Sequence, residues 1–333
     1  MAESLRPLAV ETCLFRDGLR LLESEKFSSA KLRQLAHQAR GGGNSIRQLE
    51  RLLQVLEQRN KEWFYGPSLA LLAGTQICMA IERWRSVHEH SLSIWLSVWA
   101  EFEALNALAA YAFENPENTF PVFTTSETCF AARELAHPLL PRDSCVANDV
   151  ELNREHPFYI VSGSNMSGKS TLLRTIGSNA ILAFAGAPVR ASALRLSGLS
   201  VVASLSTADS LLNGKSKFLA EVDRLRQAME PGESDKRVLF LVDEILGGTN
   251  SHDRRIAAEA IVRALVGRGA IGAFSTHDLA LTEIATAPGL NGVNVHMGSR
   301  SEGDPLDFDY RLKPGIANET NAIAIARLAG VPV

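Results

Sequence analysis

The sequence is short of the features that mark a protein as metal-stapled, membrane-spanning or broadly basic. It holds four cysteines, Cys13, Cys78, Cys129 and Cys145, and no two stand at C-x-x-C spacing. Neither a zinc site nor a disulfide framework is expected, and the thiols read as the reduced cysteines of a cytoplasmic protein. No signal-peptide pattern is read at its start. The longest apolar stretch, Leu69 to Ile81, is interrupted by Gly74, Thr75 and Gln76. It falls short of the ~18 apolar residues that a membrane span needs, so a buried helix is expected, with a membrane-associated remnant as the lesser alternative. An excess of positive charge is also missing: 34 Lys and Arg stand against 37 Asp and Glu, a net charge of −3. Nucleic-acid-binding modules are usually basic, so any such contact would need a local patch or a partner. Internal repeats and low-complexity tracts are absent too. What remains is ordinary globular composition, 46% hydrophobic and 21% charged, at a length of 333 residues that suits two domains.

Two regimes follow one another along the chain. From Leu5 to about Ala112 the pattern is helical: "KLRQLAHQA" and "IRQLERLLQVLEQRNKEWF" place leucines three and four apart with charges between. "GGGNS" at 41–45 is expected to break these two helices, with Asn44 or Ser45 capping the second. "YGP" at 65–67 is the next break. Trp84, Trp95 and Trp99 follow at helical spacing and read as core. After the turn cluster "ENPENTFP", short β-like runs alternate with helical patterns. The strand candidates are "TCFAARE", "FYIVS", "LSVVASL", "RVLFLVDE", "AIGAFST", "NGVNVHM" and "DFDYRL", with helices beginning near Gly168, Lys217, Arg254 and Asp278. Such alternation predicts an α/β fold with a mainly parallel sheet covered on both faces.

"FYIVSGSNMSGKSTLLRT" carries the clearest chemistry. Residues 163–170 match G-x-x-x-x-G-K-[ST]: a buried strand, then Gly163, Ser164, Asn165, Met166, Ser167 and Gly168, then Lys169, Ser170 and Thr171 opening a helix. Glycines let a loop bring its N–H groups together around an anion. The helix start adds its positive dipole end. In this pattern Lys169 reaches the β- and γ-phosphates of a nucleotide, and the Ser170 hydroxyl ligates Mg²⁺. "RVLFLVDE" supplies the complement, a buried strand ending in two carboxylates where ligands gather in open α/β sheets. Asp243 is expected to hold the Mg²⁺ shell through water, and Glu244 to orient or deprotonate the attacking water. The strand "AIGAFST" ends at His277, placed to sense the γ-phosphate or to hydrogen-bond the lytic water.

Together these segments resemble the ATPase domain of the MutS family of DNA mismatch-repair proteins. "GSNMSGKST" is similar to the family's phosphate loop, with its distinctive Asn165–Met166 pair. "DEILGGTNSHD" resembles D-E-I-G-R-G-T-S-T-x-D, "FSTHD" the T-H switch, and "LLNGKSKFLAEV" the signature S-G-x-S-T-F. "LAHPLL" and "VANDVEL" resemble the elements leading into the domain, and "NETNAIAIARLAGVP" its closing segment. The departures are Leu246 and Gly247 in place of Gly and Arg, and Lys217 in place of a threonine.

The resemblance implies a P-loop NTPase of the ABC-type ATPase class in residues 113–333, preceded by an all-α region, residues 1–112, similar to the family's lever. It implies ATP and Mg²⁺ as cofactors, with Lys169, Glu244 and His277 catalytic. It implies a homodimer in which Ser216 acts in trans on the γ-phosphate, although Ser216 also suits an N-cap for the helix at Lys217. Duplex DNA and repair proteins are the further partners it implies. The chain is too short to hold a mismatch-reading domain and a DNA clamp beside the ATPase. Either the chain is a fragment of a longer protein, or it belongs to a diverged MutS-like branch without mismatch recognition, acting as a nucleotide-binding scaffold or a membrane-associated ATPase; both stay open. A small-substrate P-loop kinase would need an arginine-bearing lid, and an ABC transporter ATPase an L-S-G-G-Q signature; neither is present.

Overall fold

In the computed structural model the described residues are 5–58, 72–164, 166–205, 222–223, 225–226, 237–246, 251–299 and 307–317. The chain divides into two compact units, Met1–Tyr111 and Ala112–Val333.

The first unit is helical: α1 (Leu5–Ser24), α2 (Ala30–Ala39), α3 (Gly42–Gln58) and α4 (Ala73–Glu114), the last running past the unit boundary. Its core gathers Leu19, Leu22, Leu35, Ile46, Trp84, Trp95 and Val98. The tryptophans are core residues, as their spacing predicts. Trp84 also donates its indole N–H to Ser45 O at 3.0 Å, so its polar edge is satisfied. The two helices break where expected, with Gly41 at φ +80° between them, but the expected cap at Asn44 or Ser45 is corrected. Helix α3 begins at Gly42, before Asn44 and Ser45, and Ser45 N bonds Gly41 O at 3.1 Å inside the first turn. The reason is close packing rather than turn chemistry. A Cβ on Gly42 would lie 2.9 Å from Leu19 Cδ1, and one on Gly43 2.2 Å from Arg20 Cγ. The glycines are where α1 and α3 touch. Within the stretch Leu69–Ile81, Gly74 and Ile77 are buried in α4. Among the described residues no helix is long and apolar enough to cross a membrane.

The second unit contains two sheets. The larger has the order β10 (Phe308–Pro314), β9 (Val293–Ser299), β4 (Phe158–Ser162), β8 (Ile271–Thr276), β7 (Arg237–Val242), β6 (Leu199–Ser204). All its neighbours are parallel except β10 against β9. Period-two geometry explains the apolar runs, because both faces are covered. Tyr159, Val161, Leu239, Leu241, Ile271 and Ala273 face one core, with α5 (Lys169–Ala185). Phe158, Ile160, Phe240, Val242 and Phe274 face the other, with α6 (Ser251–Gly267) and a 3-10 helix (Leu279–Thr286). Asp278 caps that 3-10 helix, accepting from Ala280 N at 3.0 Å. This is the α/β arrangement of a P-loop ATPase domain.

The smaller sheet has the order β1 (Val122–Thr124), β5 (Ala193–Ser197), β2 (Phe130–Leu135), β3 (Asn148–Leu152), antiparallel except for β1 with β5. "TCFAARE" therefore does not join the parallel sheet. Its strand, β2, buries Phe130, Ala132 and Leu135 but exposes Arg133 and Glu134, which suits a sheet with one wet face.

Candidate active site

Strand β4 is buried along its whole length and delivers the chain to Gly163. The loop then bends through positive φ at Gly163 (147°), Met166 (70°) and Gly168 (101°) before α5 begins at Lys169. At Gly163 a side chain has no room: its Cβ would lie 2.5 Å from Met297 O and 2.9 Å from Ser167 Oγ. The leading N–H groups of α5 lack intrahelical acceptors, as at every helix start, and Gly168 supplies no side-chain cap.

Lys169 is only 5% exposed. Its ammonium donates to Gly163 O and to Ser164 O, both at 2.7 Å. Burial pushes its pKa below the ordinary lysine value, and the nearby Glu244 and Asp243 carboxylates act the other way. Ser170 is half-buried on the first turn of α5, and Thr171 is exposed beside it. Ser167 Oγ is buried and has no hydrogen-bond partner among the described residues. A buried hydroxyl without a partner is costly, and an anion on this loop would satisfy it. Together with the glycine-lined bend and the buried ammonium, this orphan donor fits a phosphate group.

Strand β8 lies between β4 and β7, with Ser162 level with Thr276 and Val242 level with Phe274. The loop from Gly163, the pair Asp243–Glu244 and His277 therefore leave the sheet at one edge, the C-terminal ends of three adjacent strands. His277 Nδ1 lies 3.2 Å from Glu244 Oε1. Asp243 accepts a bond from Ser275 Oγ at its Oδ1 and donates its N–H to Ser204 O at 2.8 Å. Glu244 sits at φ +54°, and its N–H donates to Ser275 Oγ at 3.0 Å. Among the described residues no three His, Cys, Asp or Glu side chains could hold a metal alone. A hard cation here would take the rest of its oxygen shell from phosphate and water, as Mg²⁺ commonly does. Asn165, Gly247, Ser216 and Lys217, with the segment "NETNAIAIARLAGVP", lie outside the described residues.

A cavity of about 310 Å³ opens beside the loop, lined by Leu135, Cys145, Val146, Gly168, Thr171 and Tyr310 among others. Tyr310 occupies a bulge of β10 at φ +54°. Asn148 of β3 fastens that bulge, donating from Nδ2 to Tyr310 O at 3.0 Å and accepting from Leu312 N at 2.6 Å. Sequence reasoning missed Asn148, Ser275 and Tyr310 as site residues. The strand "DFDYRL" and the segment "VANDVEL" were both visible, but nothing local linked them across 162 positions.

The family description MutS domain V matches residues 159–333. The chain is similar to the DNA mismatch repair protein MutS of Lactobacillus delbrueckii subsp. bulgaricus, 34% identical over 240 residues, which is 70% of this chain and 28% of that protein. It is also similar to the DNA mismatch repair protein MutS of Exiguobacterium sp., at 35% over 237 residues, 70% of this chain and 28% of that protein. The DNA mismatch repair protein MutS of Methanococcoides burtonii matches at 30% over 296 residues, 82% of this chain and 33% of that protein. The chain thus spans about a third or less of the length of the curated relatives it matches.

Proposed function

The chain belongs to the MutS family, and from that premise we propose that its second unit binds ATP with Mg²⁺ and hydrolyses it, in the service of DNA mismatch repair or a related DNA transaction. The observation that carries this reading is the single sheet edge that gathers a glycine-bent loop, a buried ammonium and the group Asp243, Glu244 and His277. The cavity beside Gly168 and Thr171 suits the nucleoside end, and the loop 163–171 the triphosphate.

Lys169 and the first-turn N–H groups of α5 neutralise phosphate charge. Ser170 and Asp243 would hold Mg²⁺, which supplies Lewis-acid charge at the phosphate oxygens when bound. Glu244 takes the proton of the attacking water or orients it, and His277, 3.2 Å away, fixes that carboxylate. In the proposed dimer, Ser216 of the partner subunit adds a donor to the γ-phosphate. Closing and opening of that dimer would transmit the nucleotide state to the helices before residue 112. DNA and repair proteins are the partners proposed for the assembly.

Replacing Glu244 by Gln is the test. The variant keeps the loop and Lys169, so ATP binding is expected within about threefold of the parent, less than ~0.7 kcal/mol. Turnover is expected to fall by at least ~10², the contribution typical of a positioned general base. A Glu244→Gln chain hydrolysing at the parental rate would overturn the assignment of the base. A parent chain that binds ATP without turnover would be a nucleotide-binding scaffold.

A further inference from the structure

Ser275 is fully buried near the C-terminal end of β8, between the strand that leads to the phosphate loop and the strand that runs out into Asp243. Its hydroxyl is used in both directions. It donates to Asp243 Oδ1 and accepts the Glu244 N–H at 3.0 Å. A hydroxyl has one proton to give, and here that proton goes to a carboxylate, the stronger kind of hydrogen bond. The acceptor side holds a backbone that needs holding. Glu244 stands at φ +54°, a conformation costing a non-glycine residue about 1–3 kcal/mol. Two consecutive acidic residues therefore have their relative orientation set by one side chain from the neighbouring strand.

We propose that Ser275 is the positioning residue of the Asp243–Glu244 pair. It fixes the rotamer of the first carboxylate and the left-handed turn that aims the second toward His277. This rests on the proposed ATPase reading. Ser275 touches neither nucleotide nor water in this scheme; it acts through the two carboxylates. Losing its hydroxyl should leave ATP docking on the loop intact and misplace the groups needed for Mg²⁺ use and water activation.

The experiment compares the full chain with its Ser275→Ala and Ser275→Thr variants in steady-state ATP hydrolysis, with Mg²⁺ titrated at saturating ATP. Ser275→Ala removes the hydroxyl without adding bulk, and Ser275→Thr keeps the hydroxyl. The expected result for Ser275→Ala is a kcat at least tenfold lower, a KM for ATP within twofold of the parent, and a higher half-saturating Mg²⁺ concentration. Ser275→Thr should recover kcat to within about threefold, a difference of under ~0.7 kcal/mol. A Ser275→Ala kcat within twofold of the parent would overturn the proposal. So would a loss carried equally by KM, or one that Ser275→Thr fails to recover while its thermal unfolding matches the parent. A parent chain with no ATP turnover would overturn the ATPase reading itself, and the role of Ser275 with it. An active parent with an indifferent Ser275→Ala variant would remove only the latter.

Discussion

Replacing Lys169 by Met should separate folding from nucleotide binding. The perturbation removes an ammonium that is 5% exposed and bonded to Gly163 O and Ser164 O at 2.7 Å. Two hydrogen bonds from a charged donor contribute ~3–6 kcal/mol. Against them stands the cost of taking an ion out of water, several kcal/mol even after relaxation. That cost is reflected in the lowered pKa of this lysine. The two terms nearly cancel, so stability should change by no more than ~1.5 kcal/mol. For a unit of this size that is a shift of at most ~6 °C in Tm. Binding is only partly compensated, since the ammonium leaves two neutral carbonyl acceptors to take up charged phosphate oxygens. Charge-assisted contacts to phosphate are lost outright, about 3–4 kcal/mol, and ATP affinity should fall by ~10²–10³. Differential scanning calorimetry and titration with a fluorescent ATP analogue read the two quantities on one sample. Retained affinity would refute the phosphate role. A Tm lowered by more than ~10 °C would show that Lys169 is chiefly a structural clamp on the loop.

Two further outcomes follow from the same residues. Gly163→Ala forces a Cβ to within 2.5 Å of Met297 O at φ +147°; strain and overpacking should cost about 2–4 kcal/mol in urea unfolding, and nucleotide affinity should fall as well. An unchanged unfolding midpoint would mean that the loop does not pass so close to β9. The buried Lys169 should also make ATP binding pH-dependent: burial disfavours its charged form, whereas bound phosphate favours it. Affinity should therefore fall as pH rises through the depressed free-state pKa, below the ordinary ~10.4 of lysine, with proton uptake on binding in that window. A Lys169→Arg chain, whose guanidinium does not titrate, should show no such fall; matching pH profiles for the two chains would contradict the assignment.

The parallel sheet was legible in the sequence because its strands are buried on both faces. "FYIVS", "RVLFLV" and "IGAFST" are near-continuous apolar runs that no surface element needs. The smaller sheet was harder to see. Strands β3, "NDVEL", and β5, "ALRLS", are five residues each and expose Asp149 and Glu151, and Ala193 and Arg195, beside buried neighbours. Their signal is a short alternation with charges in it, which many loops share. The start of α3 was misplaced because glycine reads locally as a breaker, whereas Gly42 and Gly43 serve close helix approach. The residues that the candidate site gathers, Lys169, Asp243, Glu244 and His277, were readable from motif spacing. Their supports were not, since Ser275 lies 32 positions from Asp243 and Asn148 lies 164 from Leu312. A contact across strands depends on sheet order, and sheet order is a property of the whole fold.

The most direct measurement is a crystal structure of the chain with Mg²⁺ and a non-hydrolysable ATP analogue. The account predicts the triphosphate inside the bend from Gly163 to Gly168, with Lys169 Nζ transferred from the carbonyls of Gly163 and Ser164 to phosphate oxygens, and Ser167 Oγ no longer without a partner. A nucleotide bound elsewhere, or a lysine still seated on its own loop beside a bound triphosphate, would contradict it.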